Sequence, residues 1–152
     1  MENNETKSKK NIIIVIAVVV VAAIILILFF VFGNKKVLEC SIEQTTMGIK
    51  TTVTLNATFK GNEVQKIDGK AVYDLSTSSL YKNADEKTLD TAYEAMEKSL
   101  QSQKSMQNVK GSRNGKTVTF DYDMDLDFFG SDHTSTIEDA KEGLEKVGYT
   151  CK

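Results

Sequence analysis

The chain has 152 residues, of which 41% are hydrophobic and 26% charged, and its formal net charge is −2. This composition is ordinary for a globular protein and excludes a collagen, a coiled coil and a disordered tail. No basic stripe that could follow a phosphate backbone is present, so nucleic acid is not an expected partner. With one His and two Cys the chain lacks the ligands of a four-ligand zinc site, and no metal or cofactor is predicted.

An apolar segment without interruption extends from Ile12 to Phe32. As a helix it would span roughly 31 Å, which matches the hydrocarbon thickness of a bilayer. A cleaved signal peptide has a shorter apolar region of about 7 to 15 residues, followed by small residues at a cut site. The segment 12–32 is therefore predicted to be a transmembrane helix.

Basic residues lie on both sides of this segment, with Lys7, Lys9 and Lys10 before it and Lys35 and Lys36 after it. This distribution gives only a weak orientation signal, but long domains translocate largely regardless of charge. We expect residues 1–11 to be a cytoplasmic tail, 33–37 a linker and 38–152 an extracytoplasmic domain. The predicted location is the cell membrane, as a single-pass signal anchor.

Three predicted strands follow the linker, because apolar residues alternate with polar ones. The strands cover 37–46, 49–60 and 63–75, and Gly61 and Asn62 form the second turn. A bulge is expected at Asp68-Gly69, with a tight turn that splits the strand as the alternative.

Two helices and a hairpin complete the predicted domain. Capping boxes at Asn83/Glu86 and Ser135/Glu138 predict a helix of about 20 residues and a shorter one near the C-terminus. Between them, Asn114-Gly115 predicts a hairpin with arms at 109–112 and 116–128. The order β-β-β-α-β-β-α lacks a βαβ crossover, so we expect an α+β domain whose antiparallel sheet carries both helices on its one apolar face.

Three short motifs resemble the YehR-like family of small extracytoplasmic lipoproteins. They are the turn from Phe59 to Val64, the strand end from Val72 to Ser76 and the terminal stretch from Glu142 to Cys151. The resemblance implies an anchored single domain outside the cytoplasm with an undefined molecular role, and it brings no catalytic residues. Family members are usually tethered by lipid.

Cys40 and Cys151 are predicted to form a disulfide, because they lie at the two ends of one domain in an oxidising compartment. Two free thiols are the alternative, one of them lipid-modified at Cys40. Glu39 stands where a lipid-attachment motif has a small residue, which disfavours lipidation.

Two further features have ordinary structural explanations. His133 is the one His of the chain and lies in a predicted loop, where a His side chain is ordinarily exposed to solvent. Tyr93, Met96 and Leu100 could line a pocket, but core packing explains their helical spacing better.

Aspartates at alternate positions resemble a calcium ligand set. They are Asp121, Asp123, Asp125 and Asp127. Alternate strand residues are about 6.6 Å apart, too far to share an ion without leaning together, so we expect an acidic solvent face and no tight calcium site.

The sequence therefore predicts a membrane-anchored extracytoplasmic domain of undefined activity, a binding or structural module. Small-ligand or cation binding is the alternative. An enzyme is the rival class and the less favoured alternative, because no Ser/His/Asp set, phosphate loop or Cys-x-x-Cys is present and no catalytic residues are predicted. Beyond the membrane, the protein or small-molecule partner is unknown.

Overall fold

A computed structural model describes residues 35–129 and 132–152 of the chain. Within this part, six strands and two α-helices follow in the order β-β-β-α-β-β-α-β. The strands are β1 (Lys35–Thr46), β2 (Ile49–Lys60), β3 (Glu63–Asp74), β4 (Met106–Asn114), β5 (Thr117–Met124) and β6 (Thr150–Cys151). The helices are α1 (Glu86–Gln101) and α2 (Ile137–Lys146).

The strands form one sheet in the order β4-β5-β3-β2-β1-β6. The pairs β2–β3, β3–β5, β4–β5 and β1–β6 are antiparallel. Met47 and Gly48 join β1 to β2 with φ values of 52° and 75°. Left-handed backbone at both positions is the geometry of a tight hairpin.

The predicted architecture of five strands behind a transmembrane helix is wrong for the described part of the chain, because the sheet has six strands. The sixth, β6, has two residues, which is too short for the alternation that reveals a strand in a sequence. The predicted helix at 12–32 lies outside the described residues. Among the residues that are described, no helix has the length and apolarity needed to cross a membrane.

The predicted bulge at Asp68-Gly69 is also wrong. β3 continues through Gly69, which pairs with Leu55 on one side and Tyr122 on the other. The register shift between β2 and β3 lies instead between Thr58 and Phe59.

In the second hairpin the first arm is longer than predicted and the second arm is shorter. β4 begins at Met106, and β5 ends at Met124 because a 3-10 turn, Leu126–Phe129, follows it. The turn itself consists of Gly115, with φ of 58°, and Lys116, since Asn114 already pairs with Thr117.

Both helices begin later than predicted. The side chain of Asp85 caps α1 by accepting a hydrogen bond from the Thr88 N–H, 2.8 Å away. Thr136 caps α2 in the same way, and its hydroxyl lies 3.1 Å from the Asp139 nitrogen. The first helix therefore has 16 residues.

Both helices pack on one face of the sheet. Ile67 and Ala71 are on the same side of β3, because they are an even number of residues apart. Ala71 pairs with Phe120, which belongs to the core cluster under α1. Ile67 pairs with Ala57, which belongs to the cluster that α2 covers.

Candidate functional site

The predicted disulfide is confirmed. Cys40 in β1 lies directly opposite Cys151 in β6, and the two are bonded. The Cys40 side chain is fully buried, and the Lys152 N–H donates to the Glu39 carbonyl at 2.9 Å. The disulfide therefore fixes the C-terminal strand to the edge of the sheet, and two free thiols are excluded.

The predicted acidic face is corrected by the neighbouring strands, which place lysines among the aspartates. Lys66 Nζ lies 2.9 Å from Asp123 Oδ1 and 3.7 Å from Asp68. Lys70 Nζ lies 4.0 Å from Asp121. The solvent face of β3 and β5 therefore carries positive and negative side chains next to one another, and we call this set of Lys66, Lys70, Asp68, Asp121 and Asp123 the lysine–aspartate lattice.

Asp123 is the best-bonded carboxylate of this lattice. Asn108 Nδ2 donates to Asp123 Oδ2 at 2.9 Å. This hydrogen bond, together with the Lys66 ammonium, lowers the pKa of Asp123, and Asp123 in turn raises the pKa of Lys66. Asn108 has a φ of 53° and lies in the irregular stretch of β4, so a local kink aims its amide at the carboxylate.

A polar recess of about 290 Å³ opens on this face, lined by Lys66, Asp68, Gly69, Asn108, Lys110, Asp121, Tyr122 and Asp123. Several of its charged groups bond to one another, and a general base or nucleophile needs an available group instead. Asp125 and Asp127 lie past the end of β5, where Asp125 Oδ1 accepts from the Asp127 N–H at 3.1 Å. Within 35–129 and 132–152, no three His, Cys, Asp or Glu residues are placed to hold a metal ion.

His133 joins two loops. Its Nε2 lies 3.1 Å from the Leu126 carbonyl and 3.8 Å from an Asp127 carboxylate oxygen. Its own carbonyl accepts from the Val64 N–H at 2.9 Å. These contacts connect the end of β5 to the start of β3, and they give His133 a structural explanation.

The core interpretation of Tyr93, Met96 and Leu100 is confirmed, because all three pack in the cluster under α1. Tyr93 stacks on Phe120 with ring centroids 5.7 Å apart and planes 3° apart.

An apolar cavity of about 210 Å³ lies on the helix-bearing face of the sheet. Its walls are contributed by β1, β2, β3, the end of β5 and α2, through the residues Leu38, Leu55, Ala57, Ile67, Met124 and Leu144. Leu38 and Ala57 are buried, and the other four side chains are half-buried. Every lining side chain is aliphatic or a thioether, so the cavity can hold hydrocarbon but offers no side-chain hydrogen bond.

The sequence did not reveal this cavity. Its residues come from five separate elements, and each has the spacing of an ordinary core position. The one available signal is Ala57, a small residue in a strand that otherwise presents larger apolar side chains to the core.

Comparisons with protein-family models, with curated proteins and with solved structures found no match to this chain.

Proposed function

We propose that the chain is a membrane-anchored extracytoplasmic domain that binds a partner or small ligand and is not an enzyme. The observation that carries the location is the Cys40–Cys151 disulfide. Disulfides persist in oxidising compartments and are rare in the cytosol. The apolar segment 12–32 and the resemblance to YehR-like lipoproteins support the same location.

Binding rather than catalysis is favoured by the contrast between the two recesses. In the polar recess several charged side chains bond to one another, as Lys66 does to Asp123. The apolar cavity has no polar side chain that could activate a substrate. A concave apolar site without a poised acid or base fits ligand binding.

The location is tested with protease added to intact cells after any wall is removed. We expect digestion of residues 38–152 while a cytosolic marker stays intact. Protection of the domain until the membrane is permeabilised would reverse the proposed topology.

A second measurement uses the thiols. Native protein is alkylated without reduction, and the peptides that contain Cys40 and Cys151 are weighed. We expect neither peptide to be alkylated, and a diacylglycerol mass on Cys40 would support lipid anchoring instead.

A further inference from the structure

The apolar cavity permits an inference about ligand class, and this inference rests on the proposed function as a binding module. We propose that the cavity binds a small hydrocarbon group, such as a six-carbon ring or a short acyl segment, with no polar atom inside. A polar group that entered would lose its hydrogen bonds to water and find no side chain to replace them. Ligand discrimination would therefore depend on shape and apolarity.

The size of the cavity fits this class of ligand. Apolar cavities of about 150 Å³ stay dry and bind benzene or xenon. The present cavity, at about 210 Å³, has room for such a guest.

The α2 wall of the cavity is held along its length, where Ile137, Ala140 and Leu144 pack against the core cluster, and also at its ends. No residue of α2 is fully buried, and Leu144 is its contribution to the cavity. Before the helix, the backbone of Thr134 forms an isolated antiparallel β-bridge with Glu63, and the Ser135 N–H donates to the Asn62 carbonyl at 2.9 Å. After it, the chain is fixed by the disulfide at Cys151.

Met124 makes the cavity lining adaptable, because its unbranched thioether side chain fills irregular space in several rotamers. A cavity with such a side chain in its lining is suited to guests of slightly different shapes.

The test uses the full chain in lipid nanodiscs with ¹³C-labelled methyl groups and benzene as the probe. We expect saturable chemical-shift changes at the methyl groups of Leu38, Leu55, Ile67 and Leu144. Leu80, which is exposed and does not line the cavity, should not respond.

Leu144→Phe fills the cavity from the helix side and should weaken benzene binding at least about tenfold, since benzene must then displace packed side-chain atoms. Val147→Phe is the matched control, because it adds the same ring three residues away at a position 67% exposed. It should leave binding unchanged. If Leu144→Phe does not fold, Ala57→Leu fills the cavity from the sheet side and should have the same effect.

Shifts that do not saturate, or that persist unchanged in the filled variants, would overturn the proposal. The protease measurement is independent: an exposed domain without benzene binding would refute the ligand class alone, and a protected domain that binds benzene would refute the location alone.

Discussion

Two glycines within the sheet make room for aromatic rings. A Cβ atom at Gly69 would lie 2.4 Å from ring carbons of Tyr122. At Gly111 it would lie 2.5 Å from the Tyr93 hydroxyl and 2.6 Å from the ring of Phe120. Neither glycine has a positive φ, so what each position requires is the absence of a side chain.

Gly69→Ala should therefore destabilise the domain. Tyr122 is 6% exposed and cannot move aside freely, so we expect a loss of about 1 to 3 kcal/mol in the free energy of unfolding. Denaturant titration measures it. Gly143→Ala in α2 is the matched control, because nothing lies within 4 Å of its added Cβ. It should gain up to about 1 kcal/mol from helix propensity. Equal effects of the two substitutions would contradict the steric explanation.

Tyr122 also makes the domain less stable at alkaline pH. Burial, with smaller contributions from Tyr149 and Tyr73, raises the pKa of Tyr122 to about 12. The folded state then holds a proton that the unfolded state releases near pH 10, so stability is full below pH 10 and falls as pH rises towards 12.

The loss attributable to Tyr122 should reach about 3 kcal/mol, since each pKa unit corresponds to about 1.4 kcal/mol. Tyr122→Phe keeps the ring over Gly69 and removes the titrating hydroxyl. In this variant the free energy of unfolding should fall less between pH 9 and pH 12 than it does in the wild type. An unchanged pH dependence would show that other groups are responsible.

At the scale of elements, the hydroxyl of Thr136 starts α2, although Ser135 is the residue that the sequence pattern favours. Thr136→Ala removes the hydrogen bond to the Asp139 N–H and should cost about 1 kcal/mol of unfolding free energy. Ser135→Ala is the matched control, because the Ser135 hydroxyl donates to the Thr136 carbonyl and does not cap the helix. A larger effect at Ser135 would restore the sequence-based assignment.

The sequence predicted the first three strands to within about two residues at their ends. It could do so because one buried face imposes an alternation of period two. The helix caps were misplaced because several neighbouring Ser, Thr, Asp and Asn side chains compete, and only the backbone decides which one reaches the free N–H groups.

Features that depend on strand register could not be predicted in this way. The pairing of Lys66 with Asp123 joins β3 to β5, and a sequence gives no register between them. The apolar cavity is likewise a property of five elements together, and β6 is defined by its pairing with β1, in which Cys151 lies opposite Cys40.

At the scale of the whole domain, the lysine–aspartate lattice explains how the aspartate-rich strand β5 avoids charge repulsion on its solvent face. Each exposed pair contributes little to stability because water screens it. The lattice balances charge without burying it. For this reason we expect the strength of the fold to depend on the apolar face and on the disulfide.

The disulfide closes nearly the whole domain, since Cys40 and Cys151 are 111 residues apart in the sequence. Chain-entropy models assign about 4.7 kcal/mol to a loop of about 100 residues, and measured gains are typically 2 to 4 kcal/mol. Without the bond, β6 would retain a two-residue pairing with β1. Such a short strand cannot hold the C-terminus by its hydrogen bonds alone, because ordering its residues costs more than so few bonds return.

Cys151→Ser should therefore lower the free energy of unfolding by about 2 to 4 kcal/mol. Amide hydrogen exchange should accelerate most in α2 and in β1 near Cys40, the elements that the C-terminal strand holds together. Wild-type protein treated with a strong reductant should reproduce both effects, and the Cys40→Ser, Cys151→Ser double variant should be insensitive to reductant. If reduction leaves the wild-type unfolding curve unchanged, the disulfide is not what holds the C-terminus, and the packing of Tyr149 and Leu144 against the core must do so instead.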